Sequence, residues 1–162
     1  VAVETLLPVS TVTGDSTGVP SASNHLNVDD GIAADTIDTA DYNHTFASGD
    51  VDEYGLGTLA NTGTINQIKW ATHEKAETQQ AVPGAKYQVF LDGVAIVPEK
   101  EYNVAQWPNW STFQIVWNNN EFLTGYEGLT GATWNAATTR TMRRTTSTNV
   151  GGSTPPSFEN EE

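Results

Sequence analysis

The chain contains no cysteine. Disulfides and thiolate metal sites are therefore excluded, and packing and hydrogen bonds must hold the fold. Charge is also sparse: only 17% of the 162 residues are Asp, Glu, Lys or Arg, and 37% are hydrophobic. Thr, Asn, Ser and Gly fill the remainder, a composition that suits twisted strands and turns rather than helices. No apolar run approaches the roughly 20 residues a membrane-spanning helix needs, and no charged-then-apolar leader precedes one. The chain opens on Val1, as removal of an initiator Met or cleavage of a leader would both leave it. Positive charge is scarcest of all. The first 68 residues hold ten acids and no Lys or Arg, residues 69–158 balance seven of each, and the last four add three acids, giving −13 overall. A field of that sign repels phosphate backbones and anionic lipid, so neither nucleic acid nor membrane is expected as a partner.

What the chain does have is alternation. The length fits one domain with a real core. "VETLL" (3–7) reads as a first strand closed by Pro8, and residues 11–27 read as loop or arm. Short strands follow in "YNHTFAS" and "DVDEYGLGTL". In "GTINQIKWATHEKA" (63–76) the residues Ile68, Trp70 and Thr72 share one side, with Lys69, Ala71 and His73 opposite. "KYQVFLDGVAIV" sets Tyr87, Val89 and Leu91 against Lys86, Gln88 and Phe90, and its Asp92-Gly93 pair signals a two-residue hairpin. "EYNVAQW" and "STFQIVWNN" add two strands, with Trp117 on a core-like face. "TGATWNAATTR" has room for one turn of helix at most. "TRTMRRTTSTNV" reads as an edge strand or arm, and "GGSTPPSFENEE" as a tail. Strands at this spacing predict an all-β fold, an antiparallel jelly-roll-like sandwich with extended N- and C-terminal arms. The divisions are an N-terminal strand and arm (1–23), a sandwich (24–138), and a polar strand, arm and acidic tail (139–162).

Sites of chemistry are harder to find. Asp29, Asp30 and Asp35 lie in an acidic, Gly-bearing loop that could give Ca²⁺ some of its six to eight oxygens, but the EF-hand spacing is missing and a solvated loop is the simpler reading. No other cofactor is expected. His25, His44 and His73 lack the close pairing of a zinc site. There is no Gly-x-Ser-x-Gly elbow for a nucleophile, so no catalysis is expected. Trp107 and Trp110 flank Pro108 in "QWPNW", where exposed rings could stack on sugars; interface or core packing is the commoner use. Arg140, Arg143 and Arg144 concentrate three of the seven bases within five residues. They are candidates to pair with carboxylates of another copy, either the acidic first half or the tail of Phe158, Glu159, Glu161 and Glu162, in a cyclic homo-oligomer such as a trimer.

The order of segments adds a resemblance. "VDDGIAADTIDTADYNHTF", "DEYGLGTL", "TGTINQIKWATHEKA", "YQVFLDG", "EYNVAQWPNWSTFQIVWNNN" and "TGATWNAAT" together resemble the β-sandwich modules of tailed-phage virion proteins over residues 24–138. In those modules an acidic Gly-bearing loop leads into a "G-T-I-N" strand, and a Trp-rich strand precedes a "T-G-x-x-W" corner. The resemblance implies a jelly-roll-like fold and a non-enzymatic place on a bacteriophage particle, as a head decoration or cement protein, a head fibre, or a tail-associated module. A capsid decoration or cement subunit is the leading form, made in the host cytoplasm and mounted on the capsid exterior against the major capsid protein. It carries no catalytic set. After Trp134 the chain departs from the pattern, since "NAATTRTMRRTTSTNV" lacks the apolar helix and strand that usually follow. The alternative is a carbohydrate-binding or adhesin module that grips a host-surface glycan through Trp107 and Trp110.

Overall fold

The structure is a computed structural model, and it describes residues 2–15, 17–19, 42–45, 48–76, 84–103, 111–147 and 158–161. These form an antiparallel β-sandwich, in keeping with the jelly-roll-like expectation. The strands are β1 (Pro8–Gly14), β2 (Thr17–Val19), β3 (Tyr42–Thr45), β4 (Val51–Leu56), β5 (Gln67–Ala76), β6 (Gly84–Leu91), β7 (Val94–Ala95), β8 (Lys100–Asn103), β9 (Ser111–Asn118), β10 (Arg140–Ser147) and β11 (Phe158–Glu161). One sheet has six strands in the order β1-β4-β10-β6-β7, with β8 also on β6; the other has five in the order β2-β3-β11-β5-β9.

Alternation decides which side chains meet between the sheets. Tyr54, Met142 and Val89 are register partners across β4, β10 and β6, and Ile68 and Trp70 of β5 pair with Trp117 and Ile115 of β9. All belong to one apolar cluster, and Trp70 meets Tyr87 of the opposite sheet edge-to-face at 5.0 Å between centroids. The expected inward faces are observed: Trp117 and Tyr87 are fully buried, while Lys69 is exposed. The Asp92-Gly93 turn forms as expected, with φ of 49° and 77°. Positive φ at both positions is the type I′ geometry that matches strand twist.

One short helix, α1 (Gly131–Ala136), closes an end of the core with Trp134 buried. Thr130 caps it by accepting from Thr133 N–H at 3.1 Å. Asn135 clamps α1 to the connection between β4 and β5, accepting from Leu59 N–H at 2.8 Å and donating to Leu59 O at 2.7 Å. Gly131 must be glycine here: a Cβ would stand 1.9 Å from the Asn61 carbonyl oxygen.

Three expectations are corrected. The first strand is not 3–7; the ladder begins at Pro8, and residues 2–7 run without strand pairing. Pro lacks an N–H to donate but is tolerated at the start of an edge strand, where "VSTVTG" then supplies β-branched residues. The "RTMRRTTS" run is neither edge nor arm. It is β10, at the middle of the first sheet, paired with β6 along its length and with β4 over 141–145. Nor do residues 158–161 form a free tail, for β11 lies between β3 and β5. Composition misled in both places because hydrogen-bond pairing, not apolar content, places these strands.

Candidate functional site

Two regions carry unusual side-chain arrangements, and the arginine run is the first. β10 alternates, so Met142, Arg144 and Thr146 face the other sheet while Thr141 and Arg143 face away. Arg144 is fully buried. It stands directly across the ladder from Asp52, itself 1% exposed, and its Nη1 lies 3.3 Å from Thr146 Oγ1. Burial of a guanidinium is tolerable only where opposite charge and acceptors accompany it. On the outer face Arg143 donates from Nε and Nη2 to Glu53 Oε2 at 2.9 and 2.7 Å, and Thr141 Oγ1 donates to Glu53 Oε1 at 2.6 Å. The Arg143 guanidinium also lies 4.3 Å from the centroid of the Phe90 ring. Arg140 donates to the carbonyls of Ala137, at 2.5 Å, and Leu56, at 3.4 Å.

Arg140, Arg143 and Arg144 are the residues expected at an interface between copies. Within the chain, the acid that meets Arg143 and the one opposite Arg144 belong to the adjacent strand, so these pairs fasten β4 to β10. Of the acidic end, Phe158, Glu159 and Glu161 sit at register positions in β11 opposite β3 and β5. Glu162 lies outside the described residues, as do Trp107, Trp110, Asp29, Asp30 and Asp35. Among the described residues no three His, Asp or Glu gather as metal ligands would.

The second region is a groove of about 820 Å³ on one side of the sandwich. It lies within the range of small-ligand sites, though one side is open. Its floor is apolar, with Leu56, Ile68, Trp70, Val89, Trp134 and Met142. Residues 2–8 form one wall and residues 63–71 the other. Glu4 ties the first wall down: its carboxylate accepts from Ala60 N–H at 2.7 Å and Asn61 N–H at 2.5 Å. Trp117 Nε1 donates to Pro98 O at 2.8 Å and Trp134 Nε1 to Gly57 O at 3.1 Å, but Trp70 Nε1 is buried with no partner among the described residues. Four of the six large hydrophobics exposed among the described residues, Val3, Leu7, Val9 and Val12, lie on this wall or on β1 beyond it. Sequence reading gave the stretch around Trp70 to packing alone. The signal it passed over is the near-absence of charge in "VAVETLLPVSTV", an odd composition for a strand edge in water.

A smaller hollow of about 350 Å³ is polar, lined by Ser48, Lys86, Glu101, Thr145, Thr146 and Ser147 among others. Lys86 is committed to Glu99 at 2.9 Å, whose hydrogen bond and charge hold the ammonium pKa above its ordinary value.

No family model and no curated protein matches the chain. Among solved structures, a protein described as "Family 16 Carbohydrate Binding Module-2" is similar at a TM-score of 0.40 and 9% identity, over 77% of this chain and 75% of that one. A likeness of that size carries no functional weight.

Proposed function

We propose that the chain is a non-enzymatic virion structural protein, a capsid decoration or cement subunit that binds the major capsid protein and other copies of itself on the outside of the shell. The observation that carries this reading is the placement of apolar surface. Isolated exposed hydrophobics need no explanation, but a run of them from Val3 into β1, an outer strand among the described residues, beside an apolar groove, is a surface suited to contact. The resemblance to tailed-phage sandwich modules supplies the setting. Symmetry supplies the strength, because weak contacts repeated around a shell add up to avidity.

The test is cosedimentation with empty heads assembled from the major capsid protein encoded nearest this chain's gene. Saturable binding at a fixed copy number, with a raised shell melting temperature, is the expected result. Failure to bind heads, together with parent binding on a glycan array that is lost in a Trp107→Ala/Trp110→Ala variant, would replace this reading with a carbohydrate-binding module.

A further inference from the structure

Each of the two walls lines the groove with consecutive residues, and the second runs into β5 at Gln67. Successive side chains of a strand point to opposite faces, so a hollow lined by both sets follows the strand's edge. On that edge the ladder stops short. β11 pairs with β5 only from Ala76 to His73, whereas β9, on the other side, pairs from Glu74 to Gln67. Among the described residues no strand meets residues 67–71 on the β11 side. Backbone donors and acceptors are left beside an apolar floor, with an unpartnered indole N–H among the side chains that line it. This is the geometry of a missing strand, the kind of site that takes up an extended segment through main-chain pairing.

We infer that the missing strand is residues 2–7 of a second copy of this chain. The result is a two-fold dimer in which one continuous layer runs β5, the partner's segment, the chain's own segment, the partner's β5. The inference rests on the multi-copy reading above and names its contact. Three observations select this occupant. Val3 and Leu7 both stand exposed on their own copy, by 87% and 41%, and would share one side of the segment once it pairs as a strand. The charges match, since Glu4 is the one charged side chain in residues 1–7 and Lys69 is the one base among the groove-lining residues. In a chain of net charge −13 most pairs of surfaces repel, and this pair does not. Finally, the Glu4 anchor to Ala60 and Asn61 already holds the segment against its own loop, so less ordering entropy is lost on docking.

The absence of cysteine makes the test clean. Full-length chains carrying Val3→Cys and a size tag are co-expressed with chains carrying Gln67→Cys, Lys69→Cys or Ala71→Cys in turn, then mildly oxidised and run on a non-reducing gel. A mixed disulfide between the two forms is the expected main product for at least one position. Same-variant dimers alone, or no dimers, overturn the inference. Light scattering on the parent separates two failures. An oligomer that gives no mixed disulfide refutes this contact and leaves the multi-copy reading standing, whereas a monomer at high concentration refutes both. Lys69→Glu, at an exposed position, is expected to weaken the dimer roughly three- to tenfold; an unchanged dissociation constant overturns the strand placement. A monomer whose groove instead takes up an apolar dye, quenching Trp fluorescence, overturns it as well.

Discussion

The middle of the six-stranded sheet and the open groove handle polarity in opposite ways. In the middle, charged groups are buried: Asp52, Glu53 and Arg144 are all 9% exposed or less, and each is engaged by neighbours of the same chain. At the groove and on β1 beyond it, apolar groups are exposed, from Val3 to Val12, and an indole N–H is buried without an acceptor among the described residues. On the proposed reading, then, charge density does not mark the contact surface: Arg143, Lys86 and Lys100 are paired with acids of their own chain, and the surface proposed for a partner is apolar.

The largest effect should come from the buried charge. Arg144→Met leaves the Asp52 carboxylate buried without the cation that faces it across the ladder. Truncating one member of a buried charged pair typically costs about 3–5 kcal/mol. Urea denaturation should register a loss of that order, with a partial return in Arg144→Met/Asp52→Asn. A loss below about 1 kcal/mol would mean that the middle of the sheet does not depend on this charge.

Gly131→Ala links the two regions. The added Cβ collides with the Asn61 carbonyl, and Asn61 N–H is one of the two donors that hold Glu4. Overpacking of this kind costs about 1–3 kcal/mol. It should also loosen residues 2–7, so light scattering should find less self-association than the stability loss alone explains. Next in size is a pair of indole substitutions. Trp117→Phe removes ring volume and the bond to Pro98 O, whereas Trp70→Phe removes similar volume and relieves an unpartnered donor. The first should therefore cost about 1–2 kcal/mol more than the second. Equal costs would show that Trp70 Nε1 has found an acceptor.

Arg143→Gln sharpens the contrast further. The pair with Glu53 is partly open to solvent, with the arginine side chain 39% exposed, so its loss should cost only about 1 kcal/mol. Oligomer mass should stay unchanged, because the guanidinium is occupied within its own chain. A drop in mass on Arg143→Gln, with none on Lys69→Glu, would reverse the assignment of the two regions.

These two regions also show what could be read from the sequence. Strand alternation around Trp70, Tyr87 and Trp117 was legible because a period of two survives without tertiary information. The Asp92-Gly93 hairpin was legible because its backbone geometry demands those residues. The roles of β10 and the arginines were not. A Thr- and Arg-rich strand looks like surface until its neighbours are known, and the acids opposite Arg143 and Arg144 lie about ninety residues earlier in the chain. The groove was hidden for the same reason, since its walls come from residues 2–8 and 63–71 and only the folded chain brings them together.

The smallest effect concerns acid. Beyond β9, Glu121 accepts from Asn118 N–H at 2.8 Å and from Lys100 Nζ at 2.7 Å, and these two bonds hold its carboxyl below the ordinary value of about 4.5. Both favour the ionised form in the folded state. Glu121 therefore contributes stability in full above about pH 4.5 and loses it as pH falls through the lower folded value. Glu121→Gln should be less stable than the parent at pH 7, and the gap should close toward pH 3. A gap of the same size at both pH values would show that the Asn118–Glu121–Lys100 contact does not form. Because this contact lies away from the groove, with none of its three residues among the lining, dimer mass should be the same for parent and variant wherever both are folded. Acid would then weaken the scaffold before it touches the docking strand.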